Sequence, residues 1–185
     1  MGKLVRNGFA VLRGALSIVG WKLFCRKRVS CKGAVRVFSG ASLRFYKGGR
    51  VHLGKRIKID KDAVLSVAKN ASLSIGDGVG IGANNMVVCH DKISIGTNTI
   101  LAPNVLIYDH DHVFDAEHGV RRKEYKTAEV TIGKNCWIGA NTVILRGTCI
   151  GDNCVVGAGC VLKGMYKEGT VIVQKRETVC KEAKK

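Results

Sequence analysis

From Ile75 onward an aliphatic residue leads a recurring six-residue unit: Ile75, Ile81, Ile95, Leu101, Ile132, Ile138, Ile144, Ile150 and Val156. The residue after it is small in every unit but one (Gly76, Gly82, Gly96, Ala102, Gly133, Gly139, Gly151, Gly157), with Leu145 the exception. Three places after the aliphatic stands Asn or Gly without exception: Gly78, Asn84, Asn98, Asn104, Asn135, Asn141, Gly147, Asn153 and Gly159. These two residues share a tolerance for left-handed backbone angles, which others adopt at a cost of about 1–2 kcal/mol. A period of six keeps no constant face on an α-helix. A hairpin meander would break its alternation at irregular intervals. The pattern therefore predicts short strands separated by near-identical corners of positive φ, each strand turning one aliphatic inward.

Upstream, Val35-Arg-Val-Phe, Ser42-Leu-Arg-Phe, Arg50-Val-His-Leu, Arg56-Ile-Lys-Ile and Val64-Leu-Ser-Val alternate as short strands do. Leu53, Ile59 and Leu65 keep the six-residue step while other gaps are eight, which predicts irregular early coils of the same stack. A two-residue slip falls near Cys89-His-Asp-Lys. Leu4, Val5, Phe9, Leu12, Leu16, Val19, Leu23 and Phe24 lie at helical spacing, interleaved with Arg6, Arg13 and Lys22. The resulting organisation is an amphipathic helix over 1–28, a repeat domain over 29–174 with a loop at 108–130, and a charged tail over 175–185. The helix is expected to cap the open end of the stack, or alternatively to rest on a membrane surface.

Composition sharpens this picture. Of 185 residues, 46% are hydrophobic but only 6% aromatic, so the interior must be built from Ile, Val, Leu and Ala. Gly is plentiful (23) while Pro occurs once, which points to many similar turns and away from disorder. The net charge of +17 favours anionic partners. Nucleic acid is disfavoured, because no basic stretch carries the interleaved aromatics that stack bases. The eight cysteines form no C-x-x-C pair and no secretory signal is evident. Free thiols in a reducing cytoplasm follow as the expectation, with the inner face of the membrane as a variant of it.

The units Ile95-Gly-Thr-Asn-Thr, Ile132-Gly-Lys-Asn-Cys-Trp, Ile138-Gly-Ala-Asn-Thr and Ile150-Gly-Asp-Asn-Cys resemble the hexapeptide-repeat acyltransferases, with clear repeats over roughly 73–164. The resemblance implies an all-β fold, a left-handed parallel β-helix of three hexads per coil, assembled as a homotrimer. It further implies direct transfer of an acetyl group from acetyl-CoA to a sugar hydroxyl, with surface polysaccharides or their precursors as acceptors. An N-acetyltransferase acting on an amino sugar would use the same parts.

The repeat fails between Ile107 and Thr131, where His110, His112 and His118 gather with Asp109, Asp111 and Asp115. In the family such a loop closes over the neighbouring subunit's active site. Acyl transfer needs a base for the hydroxyl proton and a donor for the oxyanion, and histidine suits the first task. Counting from Leu101-Ala-Pro-Asn-Val, the resemblance places the base at His112, with His110 second; Asp109 or Asp111 would orient the imidazole, or Asp115 from the loop. Asn135-Cys-Trp137-Ile-Gly-Ala140 matches the family's Asn-x-Trp-Ile-Gly-small motif. By that likeness Ala140 N–H is the oxyanion donor and Trp137 lies along the CoA arm. Ala158 and Gly159 would hold the pantetheine amides, Lys163 a phosphate, and Lys175 and Arg176 the adenine end, although Val171-Ile-Val-Gln-Lys-Arg replaces the usual Gly-x-Pro-Ala. No metal is expected. A zinc lyase of the γ-carbonic anhydrase kind shares the fold and would draw on His90, His112 and His118. A catalytically inert binding module is the third alternative.

Overall fold

The computed structural model describes residues 2–25, 28–175, 177 and 179–180. After one helix, the chain winds into a parallel β-helix with three flat faces. The first face runs from Val29–Cys31 through Arg50–Leu53, Ser72–Ile75, Lys92–Ile95, Val130–Ile132 and Cys149–Ile150 to Met165–Tyr166. The second runs from Val35–Val37 to Val171–Ile172, and the third from Ser42–Phe45 to Val161–Leu162. Leu53 pairs with Ile75, Ile75 with Ile95 and Ile132 with Ile150, so the coil length tightens from 22 to 20 to 18 residues. The early gaps of eight and the slip near Cys89 are thus longer coils in unbroken register. The sole large jump is the 37-residue step from Ile95 to Ile132, which carries the insertion.

Every corner position read from the sequence has positive φ, from Asn135 at 53° to Gly147 at 76°. The early coils use the same corner with less usual residues: Arg56 and Asp62 both stand at 57°. Stacked corners form side-chain ladders, with Asn135 Nδ2 donating to Asn153 Oδ1 at 3.1 Å and Asn104 Nδ2 to Asn141 Oδ1 at 3.1 Å. The small residue after each aliphatic has a different cause. A Cβ on Gly96 would fall 2.5 Å from the backbone of Gly133, and one on Gly139 would fall 2.6 Å from Ala158 N. Coils approach too closely there for a side chain.

The inward column is fully buried, including Ile75, Ile81, Leu101, Ile107, Ile132, Ile138, Ile144 and Ile150. Each such side chain contributes roughly 1.5–3 kcal/mol by leaving water. Cys136 and Cys154 line the core as small residues, their thiols donating to the Gly151 and Lys167 carbonyls at 3.1 Å each. All cysteines with described side chains are free.

The helix, α1 (Lys3–Cys25), lies across the first coil and packs on Val29–Cys31 and Val35–Val37. It does cap the stack, but not with the expected face. Ala10, Gly14 and Ile18 face the coil, and Gly14 comes so close that a Cβ would overlap the Val35 carbonyl. Val5, Phe9, Leu12, Leu16 and Val19 point outward. Only small residues let a helix backbone sit this close to a strand. Among the described residues no helix is long and apolar enough to cross a membrane. Of the tail over 175–185, Arg176 and most of its neighbours lie outside the described residues.

Candidate active site

Strand Leu106–Tyr108 of the third face ends at Asp109, where the chain leaves the coil. Asp109 is fully buried, and its carboxylate accepts the backbone N–H groups of His90 at 2.7 Å and Asp91 at 2.8 Å. Its carbonyl accepts Ala128 N–H at 2.9 Å, so the exit of the insertion is fastened to its entrance. Between the two, the expected irregular loop is an antiparallel hairpin of His110–Asp115 and Gly119–Thr127, with a bulge between His112 and Val113.

Three imidazoles and a phenol gather at the hairpin base. His110 Nδ1 lies 3.3 Å from Asp109 Oδ1, and its ring stacks on His90 with centroids 3.7 Å apart and planes 15° from parallel. Tyr125, paired with His112 across the hairpin, sets its ring 4.3 Å from His90, 5.3 Å from His110 and 4.7 Å from His112. Burial, reinforced by the neighbouring His110 and His112, holds His90 below the usual histidine pKa even though Asp109 pulls the other way. Burial and the Asp109 charge push the adjacent Cys89 thiol well up.

His112 is exposed, with its ring against Tyr125. The carboxylates expected to orient it are engaged elsewhere. Asp109 holds the corner and faces His110, Asp111 pairs with Arg146, and Asp115 binds His118 and Arg121 at the hairpin tip. Side chains alternate along a strand, which sends Asp111 to the face opposite His112. The hairpin also keeps His118 at its tip while His90 is stacked at its base. Among the described residues no group of three His, Cys, Asp or Glu side chains is arranged to hold a metal ion.

A second feature lies on the second face. Ile100, Trp137, Val155 and Val171 stand in register down its outer surface. Trp137 is 57% exposed. It cannot turn inward, because Ile138 occupies the core position next to it. The corner Gly139-Ala140-Asn141 follows. Among the described residues the N–H of Ala140 donates to nothing, nor does that of Ala158 one coil on. The coil before has Pro103 at this position, which shows that stacking does not require this donor. At another corner the equivalent N–H, that of Lys134, is taken by Asp152 Oδ1 at 2.8 Å. Gly159 donates its N–H to the Ala140 carbonyl at 2.7 Å, which ties the two corners together. Lys163 and Lys175 are exposed near the end of the stack, while Arg176 lies outside the described residues. Within one chain the structure gathers Trp137, Ala140, Ala158 and Gly159 on one edge and His110 and His112 on another.

Residues 129–164 match the family model described as bacterial transferase hexapeptide (six repeats). Over these residues the chain carries the hexapeptide repeat of that family. It is 35% identical to the galactoside O-acetyltransferase of Escherichia coli over 58% of this chain and 59% of that one. To a putative lipopolysaccharide biosynthesis O-acetyl transferase of the same organism it is 26% identical over 67% of each chain. The chain spans about half the length of the curated relatives it matches. Among solved structures, the N-acyltransferase AntD from Bacillus cereus, in complex with a dTDP-amino sugar and coenzyme A, superposes with a TM-score of 0.64 at 18% identity, covering 83% of both chains. The shared fold is the left-handed β-helix.

Two residues of the site escaped the sequence. Tyr125 and Arg146 carry no local signal, since only the hairpin pairing and the coil register bring them to His112 and Asp111. His90 was visible as a candidate metal ligand, but its stacking on His110 depends on two coils lying in register.

Proposed function

We propose that this hexapeptide-repeat protein is an acetyl-CoA-dependent acetyltransferase acting on a sugar hydroxyl, assembled as a trimer in which the hairpin of one subunit faces the Trp137–Ala158 edge of the next. The single observation that carries this reading is the division of labour among the histidines. His90 and His110 are stacked over Asp109, whereas His112 stands exposed on the hairpin with both ring nitrogens available.

In the reaction His112 takes the proton of the acceptor hydroxyl as its oxygen attacks the thioester carbonyl. The free N–H of Ala140 donates to the oxyanion of the tetrahedral intermediate. Collapse releases the acetyl ester, and the proton held by His112 passes to the departing CoA thiolate. The open N–H of Ala158 and the exposed Trp137 ring suit an arm of amides and methylenes, and Lys163 supplies a point charge for phosphate. The named activities of the O-acetyltransferase relatives support the class of acceptor.

The test is thiol release from acetyl-CoA across a panel of sugars and sugar precursors. His112→Ala is expected to lower kcat by about 10²–10⁴-fold, with the KM for acetyl-CoA little changed. Loss of turnover in His110→Ala alongside an active His112→Ala would overturn the assignment of the base.

A further inference from the structure

Helix α1 is turned the wrong way for a simple cap. A helix that only covered a core would bury its large aliphatics. Here Ala10, Gly14 and Ile18 meet the coil, while Val5, Phe9, Leu12, Leu16 and Val19 form a straight outward stripe, each half or more exposed (50–65%). At about 100° per residue the stripe lies almost opposite the docked face. Beside it a cavity of about 840 Å³ opens between the helix and the first coils. Its wall carries Arg6, Arg13, Arg36, Lys58 and Lys61 against a single carboxylate, Asp60, which is taken by Lys58 at 2.6 Å. The three guanidiniums have no carboxylate in ion-pair contact among the described residues.

We infer that this face docks on a bilayer of anionic phospholipid, with the aliphatic stripe entering the headgroup boundary and the cationic cavity receiving lipid phosphates. The pairing of an apolar ridge with flanking cations is the arrangement that interfacial helices require. The charge also argues against a second copy as occupant, because a self-contact here would press two cationic cavities together within a chain of net charge +17. The docked face of α1 is independent of the stripe, so substitutions on the stripe leave the helix in place. Nothing in this inference depends on the acetyl-transfer reading.

The experiment is flotation of the full chain with vesicles of phosphatidylcholine alone or with a third of phosphatidylglycerol. Binding is expected to the anionic vesicles only, and to weaken as salt rises. Leu12→Ser with Leu16→Ser is expected to lower the partition coefficient about tenfold, with the thermal unfolding midpoint unchanged. Arg13→Ala with Arg36→Ala is expected to lower it on the order of tenfold and to weaken the salt dependence. Equal binding to neutral and anionic vesicles, or none to either, overturns the inference. So does a smaller assembly for the double serine variant in sedimentation without lipid, which would assign the stripe to a second copy.

Discussion

Asp109 and Asp111 sit two residues apart in one Asp-His-Asp-His motif, and the structure assigns them opposite physical weight. Truncating Asp109 to Ala leaves two backbone N–H groups, those of His90 and Asp91, without the acceptor that now meets them at 2.7 and 2.8 Å. An unsatisfied donor out of water costs about 1–3 kcal/mol, and bonds to a charged acceptor are the stronger kind, so the pair sums to about 3 kcal/mol. For a chain of this size that is a fall of roughly 6–12 °C in the unfolding midpoint. Asp109→Asn keeps one acceptor oxygen but turns an NH2 toward the second donor, and is expected to lose about half as much. Asp111→Ala breaks an ion pair whose carboxylate is 47% exposed, an interaction worth about 0–1 kcal/mol, so its midpoint falls by at most about 4 °C. Thermal unfolding followed by circular dichroism at one fixed protein concentration compares the three variants, since subunit association would otherwise move the midpoint. Midpoints for Asp109→Ala and Asp111→Ala within 2 °C of each other (about 0.5–1 kcal/mol) would refute the claim that a buried carboxylate fastens the hairpin to the coil.

Arg56 holds a corner at φ 57°, and Arg56→Asn is expected to raise stability by up to about 1 kcal/mol in chemical denaturation, whereas a loss would show that its side chain supports the early coils. His90 has its pKa lowered in the folded chain, so it is neutral in both states well above pH 6.5. As pH falls below 6.5 the unfolded chain binds the proton first, and stability declines until the folded-state pKa is passed. Unfolding midpoints from pH 7.5 down to about 5 should therefore drop more steeply in the wild type than in His90→Gln, and parallel curves would contradict the burial of that ring. The Cys89 thiol, buried beside Asp109, is expected to resist an aromatic disulfide reagent until the chain is denatured, while exposed Cys180 reacts at once; mass spectrometry of the labelled peptides reads the order.

The coil repeat was legible in the sequence because its two constraints are local. Positive φ admits Asn and Gly at low cost, and the inward strand position admits aliphatics, so each hexad announces its corner and its core residue without reference to the rest of the chain. Trp137 was legible for a related reason: an interior this narrow has no room for an indole. The close contact that makes the glycine column small is a relation between coils, and appears as a pattern only because every coil meets its neighbour in the same way. What the sequence could not decide were relations across register. Which acid serves which histidine depends on strand alternation and on a hairpin bulge, so Asp109 goes to the coil corner and Asp111 to Arg146, and the exposed His112 has its ring against Tyr125. The facing of α1 was likewise settled by packing, since hydrophobic periodicity identifies an apolar stripe but not what covers it. A helix can dock by its smallest residues when the gain lies in close backbone approach, and only the tertiary structure records that choice.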